Sequence, residues 1–236
     1  MAKNIIFLGA SASVSEGAPS QSNLFRDYFN ELINTPNEKK DNHIYRYFSD
    51  FWGINIQKGK IDGIVFPTFE EALGMLELAK NRRECFQGLS YDSIDHIIED
   101  LIFLIADILK RKLVASNFHY TNLIHKLIDN HKIKDTVFIS LNYDILIDNA
   151  ITGLHEYIDL DYCIDFMNYQ FEDNWKPPNI NNCTKLFKIH GSLNWLYCPV
   201  CKQIKLTSKM KGFTQLIKKM ETSRYALYAK EDSFLF

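Results

Sequence analysis

Asn4-Ile5-Ile6-Phe7-Leu8-Gly9-Ala10-Ser11-Ala12-Ser13 is a short apolar run that stops abruptly in five small residues. Brief apolar runs bounded by small residues suit a buried parallel strand. Directly downstream, Leu24, Tyr28 and Leu32, with Phe25, Phe29 and Ile33 beside them, recur at helical spacing. Strand, small-residue loop and helix make the opening of a βα unit.

The same reading carries along the chain. Residues 136–141 (T-V-F-I-S-L) form a second buried strand, interrupted by Asn142-Tyr143-Asp144, with a helix restarting at Ile145. A further strand spans 185–189 and ends in His190-Gly191-Ser192. Residues 157–166 alternate strictly, with Ile158, Leu160, Tyr162, Ile164 and Phe166 set against Asp159, Asp161, Cys163 and Asp165. That predicts one long strand with a wet face, near an edge.

Between the first two strands lie Pro36, Gly53, Gly59, Gly63 and Pro67 among aromatic-rich pieces. Asp92 or Ser93 is the expected cap of a long helix striped by Ile94, Ile97, Ile98, Leu101, Leu104, Ile105 and Ile108. Another helix is expected over 120–131, with Leu123, Ile124, Leu127 and Ile128 inward. The expected fold is a Rossmann-like three-layer αβα domain over 1–236. Its core is 1–34 and 120–195, with an inserted helical lobe at 35–119 and a closing segment at 196–236.

Composition narrows the class. With 46% hydrophobic and 24% charged residues, the 236-residue chain can fill a sizeable core. A net charge of −2 gives no global field toward nucleic acid or anionic lipid. From Lys202 onward eight Lys/Arg face three Asp/Glu, a run read as a solvated helix face or a docking patch. The apolar run at 4–8 is shorter than the core of a signal peptide. The stretch 101–109 is too short, and too interrupted by Asp107, to span a bilayer. Five cysteines, only Cys198 and Cys201 closely spaced, fit a reduced cytoplasmic protein.

Three strands therefore end in polar or small residues, at 9–13, 142–144 and 190–192. In an open parallel sheet ligands bind outside the carboxyl ends of strands, and small residues there let a pyrophosphate approach the backbone. Structural roles stand beside each ligand role. Residues 9–13 also suit a tight turn, Asp144 an N-cap, Asn142 a turn and His190 a hydrogen-bonded core histidine. Histidines 43, 96, 119, 125, 131 and 155 have no assigned role. The glycine fingerprint of dehydrogenases is absent, and Asp27, at the spacing of their acidic residue, falls inside a helical pattern. The phosphate-binding loop of nucleoside triphosphatases and the G-x-S-x-G of acyl hydrolases are also missing. Cys198-Pro199-Val200-Cys201 has the spacing of half a zinc ribbon, with no second pair downstream, so a bound zinc is not expected.

Taken together, these segments resemble the sirtuin superfamily, particularly the SIR2-like domains of bacterial antiphage defence proteins. Gly9, Ala10, Ala12 and Ser13 match the family's G-A-G-x-S, with Ser11 in place of its second glycine. Residues 17–20 (G-A-P-S) are similar to its G-I-P-D, 140–144 (S-L-N-Y-D) to its T-Q-N-I-D, and 188–192 (K-I-H-G-S) to its catalytic-histidine motif. Cys198 and Cys201 fall where its zinc ribbon begins. The second cysteine pair and the later Gly-Ser segment that holds the adenosine ribose are not matched.

The resemblance implies an NAD-cleaving enzyme, with NAD as substrate. Asn142 and His190 are the catalytic pair it implies. Gly9, Ala10, Ser11, Ser13, Pro19, Asp144, Gly191 and Ser192 are the implied nucleotide-binding residues. The expected reaction is hydrolysis to nicotinamide and ADP-ribose in antiphage defence. The alternatives are an NAD-dependent protein deacylase and a non-catalytic nucleotide-binding module. A second copy or a partner protein is expected to complete the C-terminal part. No membrane association is expected, and nucleic acid is not indicated.

Overall fold

Apolar residues that alternate in a strand present one side to helices, and this rule organises the sheet. The computed structural model describes residues 3–33, 43–56, 61, 63–85, 88–112, 118–171, 176–198, 200–207 and 234–235. The chain divides into two compact units, one formed by Met1–Ala18 with Ala115–Phe236, the other by Pro19–Val114. The boundary at 18/19 places the helix expected with the core at 1–34 in the second unit.

The first unit is built on four parallel strands: β1 (Asn4–Leu8), β2 (Thr136–Ser140), β3 (Asp159–Asp161) and β4 (Cys183–Lys188), in the order β1-β2-β4-β3. This is a mixed α/β arrangement compatible with a Rossmann-like fold. Helices α6 (His119–Asp129) and α7 (Leu146–Thr152) pack with the sheet in one core of Leu8, Ile124, Phe138, Ile147, Ile151, Leu160 and Leu186. Their apolar residues follow helical spacing, so each helix buries one stripe against the strands.

Burial in β1, β2 and β4 alternates rather than running continuously. Ile5 and Phe7 of β1 are 64% and 67% exposed, so the expectation of strands buried on both faces is corrected. Successive side chains point to opposite faces, and the residues packed with α6 and α7 belong to only one of them. Two of the three expected layers are therefore seen among the described residues of this unit.

The long strand expected at 157–166 is a three-residue edge strand. The carboxylate of Asp161 accepts from the backbone N–H of Cys163 at 2.7 Å, and Cys163 takes a left-handed φ of 57°. That side chain–backbone turn ends the strand. Tyr162 and Phe166 then pack with Trp195 in the core. The five small residues after β1 also depart from expectation, since Ala10–Val14 forms a short helix, α1, rather than a loop.

A second, antiparallel sheet of β5 (Trp195–Tyr197), β6 (Ile204–Leu206) and β7 (Phe234–Leu235) follows, with β5 central. The C-x-x-C pair lies at the β5–β6 turn. Most of the basic run, at 208–233, is outside the described residues.

The second unit is helical, comprising α2 (Gln21–Ile33), α3 (His43–Arg46) continued by a π-helical turn Tyr47–Phe51, α4 (Phe69–Arg82) and α5 (Tyr91–Lys112). Every residue of the expected α5 stripe is buried. Its cap is corrected to Ser90, whose hydroxyl accepts from the N–H of Ser93 at 3.2 Å. Phe25, Phe29, Phe48 and Phe66 form an aromatic centre, with Phe25 and Phe48 ring centroids 4.6 Å apart.

Among the described residues no helix is long and apolar enough to cross a membrane.

Candidate functional site

Leu8 pairs with Ser140, and Ser140 pairs with Lys188. The three strands therefore end in one row, and the ladder continues one step beyond, from Leu141 N–H to Leu8 C=O and from Ile189 N–H to Ser140 C=O. Residues 9–13, 142–144 and 190–192 consequently leave the sheet side by side at its carboxyl edge, where open parallel sheets place ligands.

Asn142 is 9% exposed and turns its amide toward the first strand end. Its Nδ2 donates to the Gly9 carbonyl at 2.9 Å and to Ser13 Oγ at 2.8 Å. A carbonyl only accepts, so the atom facing Gly9 must be the nitrogen. Ser13 Oγ in turn donates to Asp144 Oδ2 at 2.6 Å and lies 3.2 Å from the Tyr120 hydroxyl. The other carboxylate oxygen of Asp144 accepts from the N–H of Leu146, the first residue of α7, at 3.0 Å, although the N-cap position itself is Ile145. Asp144 thus ties the start of α7 to residue 13. Both donors of Asn142 are engaged by the protein, and its Oδ1 makes no hydrogen bond among the described residues.

His190 is exposed, and its ring lies 6.0 Å from that of Tyr143. Gly191 adopts a φ of 81°, where a side chain would be strained, so the glycine permits the turn that presents His190. The Leu193 N–H donates to the Tyr143 carbonyl at 3.0 Å, joining the second and third strand ends. Ser192 is buried, and its Oγ has no hydrogen-bond partner among the described residues.

Gly9 needs no special backbone, with φ at −99°, and a Cβ built on it meets no heavy atom within 4 Å. Neither strain nor packing asks for glycine there; the free space suits close approach of a ligand to the backbone. Ala10 is half-buried and Ser11 exposed beside it. Pro19 begins the second unit.

Several site residues were not singled out in the sequence. Lys188 is buried at the end of β4; its ammonium donates to the Asp144 carbonyl and lies 3.4 Å from Asp148 Oδ2. Asp148 Oδ1 accepts from the Tyr162 hydroxyl at 2.5 Å, and Tyr162 accepts from Asn194 Nδ2 at 3.2 Å. Burial, and then the Asp148 charge, push the Tyr162 phenol well above its usual range. Glu16, also buried, accepts from the Tyr120 N–H at 2.7 Å at the start of α6. Burial raises the Tyr120 phenol to about 12 against the lowering effect of Ser13, so Tyr120 is a neutral hydroxyl. A signal for Lys188 was present: it shares the inward face of β4 with Thr184 and Leu186, an odd place for an unpaired lysine.

At the β5–β6 turn, Cys198 N–H donates to Gln203 C=O and Lys202 N–H to Cys198 C=O. Hydrogen bonds from Cys201, first through its backbone, lower the Cys198 thiol. Among the described residues no three His, Cys, Asp or Glu side chains gather as metal ligands do. No protein-family model matches the chain, and no curated protein matches it either.

Proposed function

We propose that the chain is an NAD glycohydrolase, releasing nicotinamide and ADP-ribose. The observation that supports this best is the alignment of three strand ends in one row. It sets Gly9, with free space beside its backbone, next to the Asn142 segment, and that segment next to His190. Nicotinamide is cationic within NAD and leaves neutral, so cleavage needs no general acid. The transition state is oxocarbenium-like and is favoured by negative or electron-rich groups.

At formal charge, Glu16, Asp144 and Asp148 outnumber Lys188 among the buried ionisable groups here, which suits a ribose that becomes positive. With its donors held by Gly9 and Ser13, Asn142 keeps Oδ1 to accept from a ribose hydroxyl or from water. This refines the expectation that the amide as a whole would hold the substrate. His190, exposed at the end of the third strand, serves as base toward that hydroxyl or water. The aromatic ring of Tyr143 beside His190 favours water over an extended acyl-lysine as acceptor. The physiological role that goes with this reading is depletion of cellular NAD in antiphage defence.

The test is a product-resolved time course with NAD, with and without an acetyl-lysine peptide. Free ADP-ribose is expected in both, with His190→Ala slowing release by roughly two orders of magnitude or more in a folded protein. Dominant O-acyl-ADP-ribose would make the chain a deacylase. Binding of NAD without turnover would make it a nucleotide-binding module.

A further inference from the structure

The geometry points to Lys188 as a positioning residue that pins the Asn142-Tyr143-Asp144 segment from below. This rests on the reading that the segment carries the chemistry of the proposed site. The side chain of Lys188 is wholly buried, and its ammonium donates to the backbone carbonyl of Asp144 while pairing with Asp148 at 3.4 Å. Those two contacts do different things. Asp148 sits in α7, is itself held by Tyr162, and balances the charge of a lysine that would otherwise be buried alone. The Asp144 carbonyl belongs to the segment between β2 and α7, which has no regular ladder of its own to hold it.

That segment is otherwise tied from above and from its ends. Ser13 holds the Asp144 carboxylate, and Ser140 Oγ accepts from the Asn142 N–H at 3.1 Å. Leu193 N–H meets the Tyr143 carbonyl. Lys188 supplies a charge-assisted bond from the underside, and does so from the strand that also carries His190 two residues on. Moving the Asp144 carbonyl would move both Asn142 and the start of α7, so one buried ammonium sets the spacing of two proposed catalytic side chains. A neutral residue of the same length could fill the space without holding the carbonyl.

Three variants separate the pin from the ion pair: Asp148→Asn, Lys188→Met, and the two combined. Each is followed by thermal unfolding, by hydrogen exchange of the amides of 141–146, and by NAD turnover with kcat and KM resolved. Lys188→Met leaves Asp148 unpaired and is expected to be less stable. Its combination with Asp148→Asn removes both charges and is expected to recover much of that stability.

Exchange at 141–146 is nevertheless expected to stay at least about tenfold faster in the double variant than in Asp148→Asn alone. Its kcat is expected to stay at least about tenfold lower, with KM changed less than about threefold. If exchange and kcat return to the Asp148→Asn level along with stability, Lys188 is only half of a structural pair and the inference is wrong. Should Lys188→Met not fold, the comparison of Asp148→Asn with the double variant still decides. A wild-type chain inert toward NAD would remove the proposed function, while the exchange comparison would still support or overturn the pin.

Discussion

Ser13 is the residue through which the first two strand ends are joined, and its single hydroxyl has three neighbours. It donates to Asp144 at 2.6 Å, accepts from Asn142 at 2.8 Å and lies 3.2 Å from Tyr120. Removing it leaves a buried carboxylate oxygen and an amide hydrogen without their partner, whereas removing the Tyr120 hydroxyl costs one longer contact. Ser13→Ala is therefore expected to destabilise the first unit by about 2–3 kcal/mol and Tyr120→Phe by about 0.5–1.5 kcal/mol, from the cost of orphaned groups against that of a neutral hydrogen bond. Urea midpoints at constant slope measure both, and a Tyr120→Phe loss equal to that of Ser13→Ala would show that the tyrosine, not the serine, is the centre. Asn142, Asp144 and Ser13 were legible in the sequence because small polar residues cut short an apolar run. Glu16 and Tyr120 were not, since their partners lie more than 100 residues away and no local pattern announces them; Lys188 was marked only by its place on the inward face of β4, its partners being 40 or more residues away.

At the scale of elements, what the sequence predicted well is what depends on periodicity. The α5 stripe and the apolar runs of β1, β2 and β4 fall where spacing placed them. Where a side chain turns back on its own backbone, periodicity misleads. Asp161 ends β3 after three residues of the alternation expected over 157–166, and Ser90 starts α5 ahead of the expected cap. The alternation at 158–166 remains meaningful, because Tyr162 and Phe166 are buried, but beside Trp195 rather than in a strand. The β5–β6 hairpin raises the matter of metal. Its two cysteines share one turn, with the Cys198 thiol lowered by the hydrogen bonds of Cys201. Two thiolates make half of a tetrahedral zinc site, so the chain alone is expected to retain well under one tightly bound zinc per molecule. Metal analysis that finds one zinc per chain, lost in Cys198→Ser, would mean that other ligands complete the site.

For the molecule as a whole, the sequence predicted that an inserted helical region interrupts a parallel-sheet unit, but not where the two divide. The helix α2 follows β1 so closely that it reads as the partner of that strand, yet it packs with α5, and its Phe25 and Phe29 join the aromatic centre of the second unit. The same division shapes the response to alkali. Tyr120 and Tyr162 are buried in the first unit and Tyr47 in the second; burial raises all three phenols, Tyr120 to about 12. Each phenol is neutral when protonated, so the folded chain holds protons that the unfolded chain gives up near the ordinary value of 10.0. The stabilisation is complete below about pH 10 and is lost as pH rises through the folded values, with the slope set by the protons released on unfolding. Tyr47, Tyr120 and Tyr162 are expected to ionise only as structure is lost, which absorbance and circular dichroism followed together would show. Tyr120→Phe is expected to flatten the pH dependence of the first unit and leave that of the second as it was, since Tyr47 is untouched. A single tyrosinate transition near pH 10, covering every tyrosine while the fold persists, would show that these hydroxyls are not buried as described.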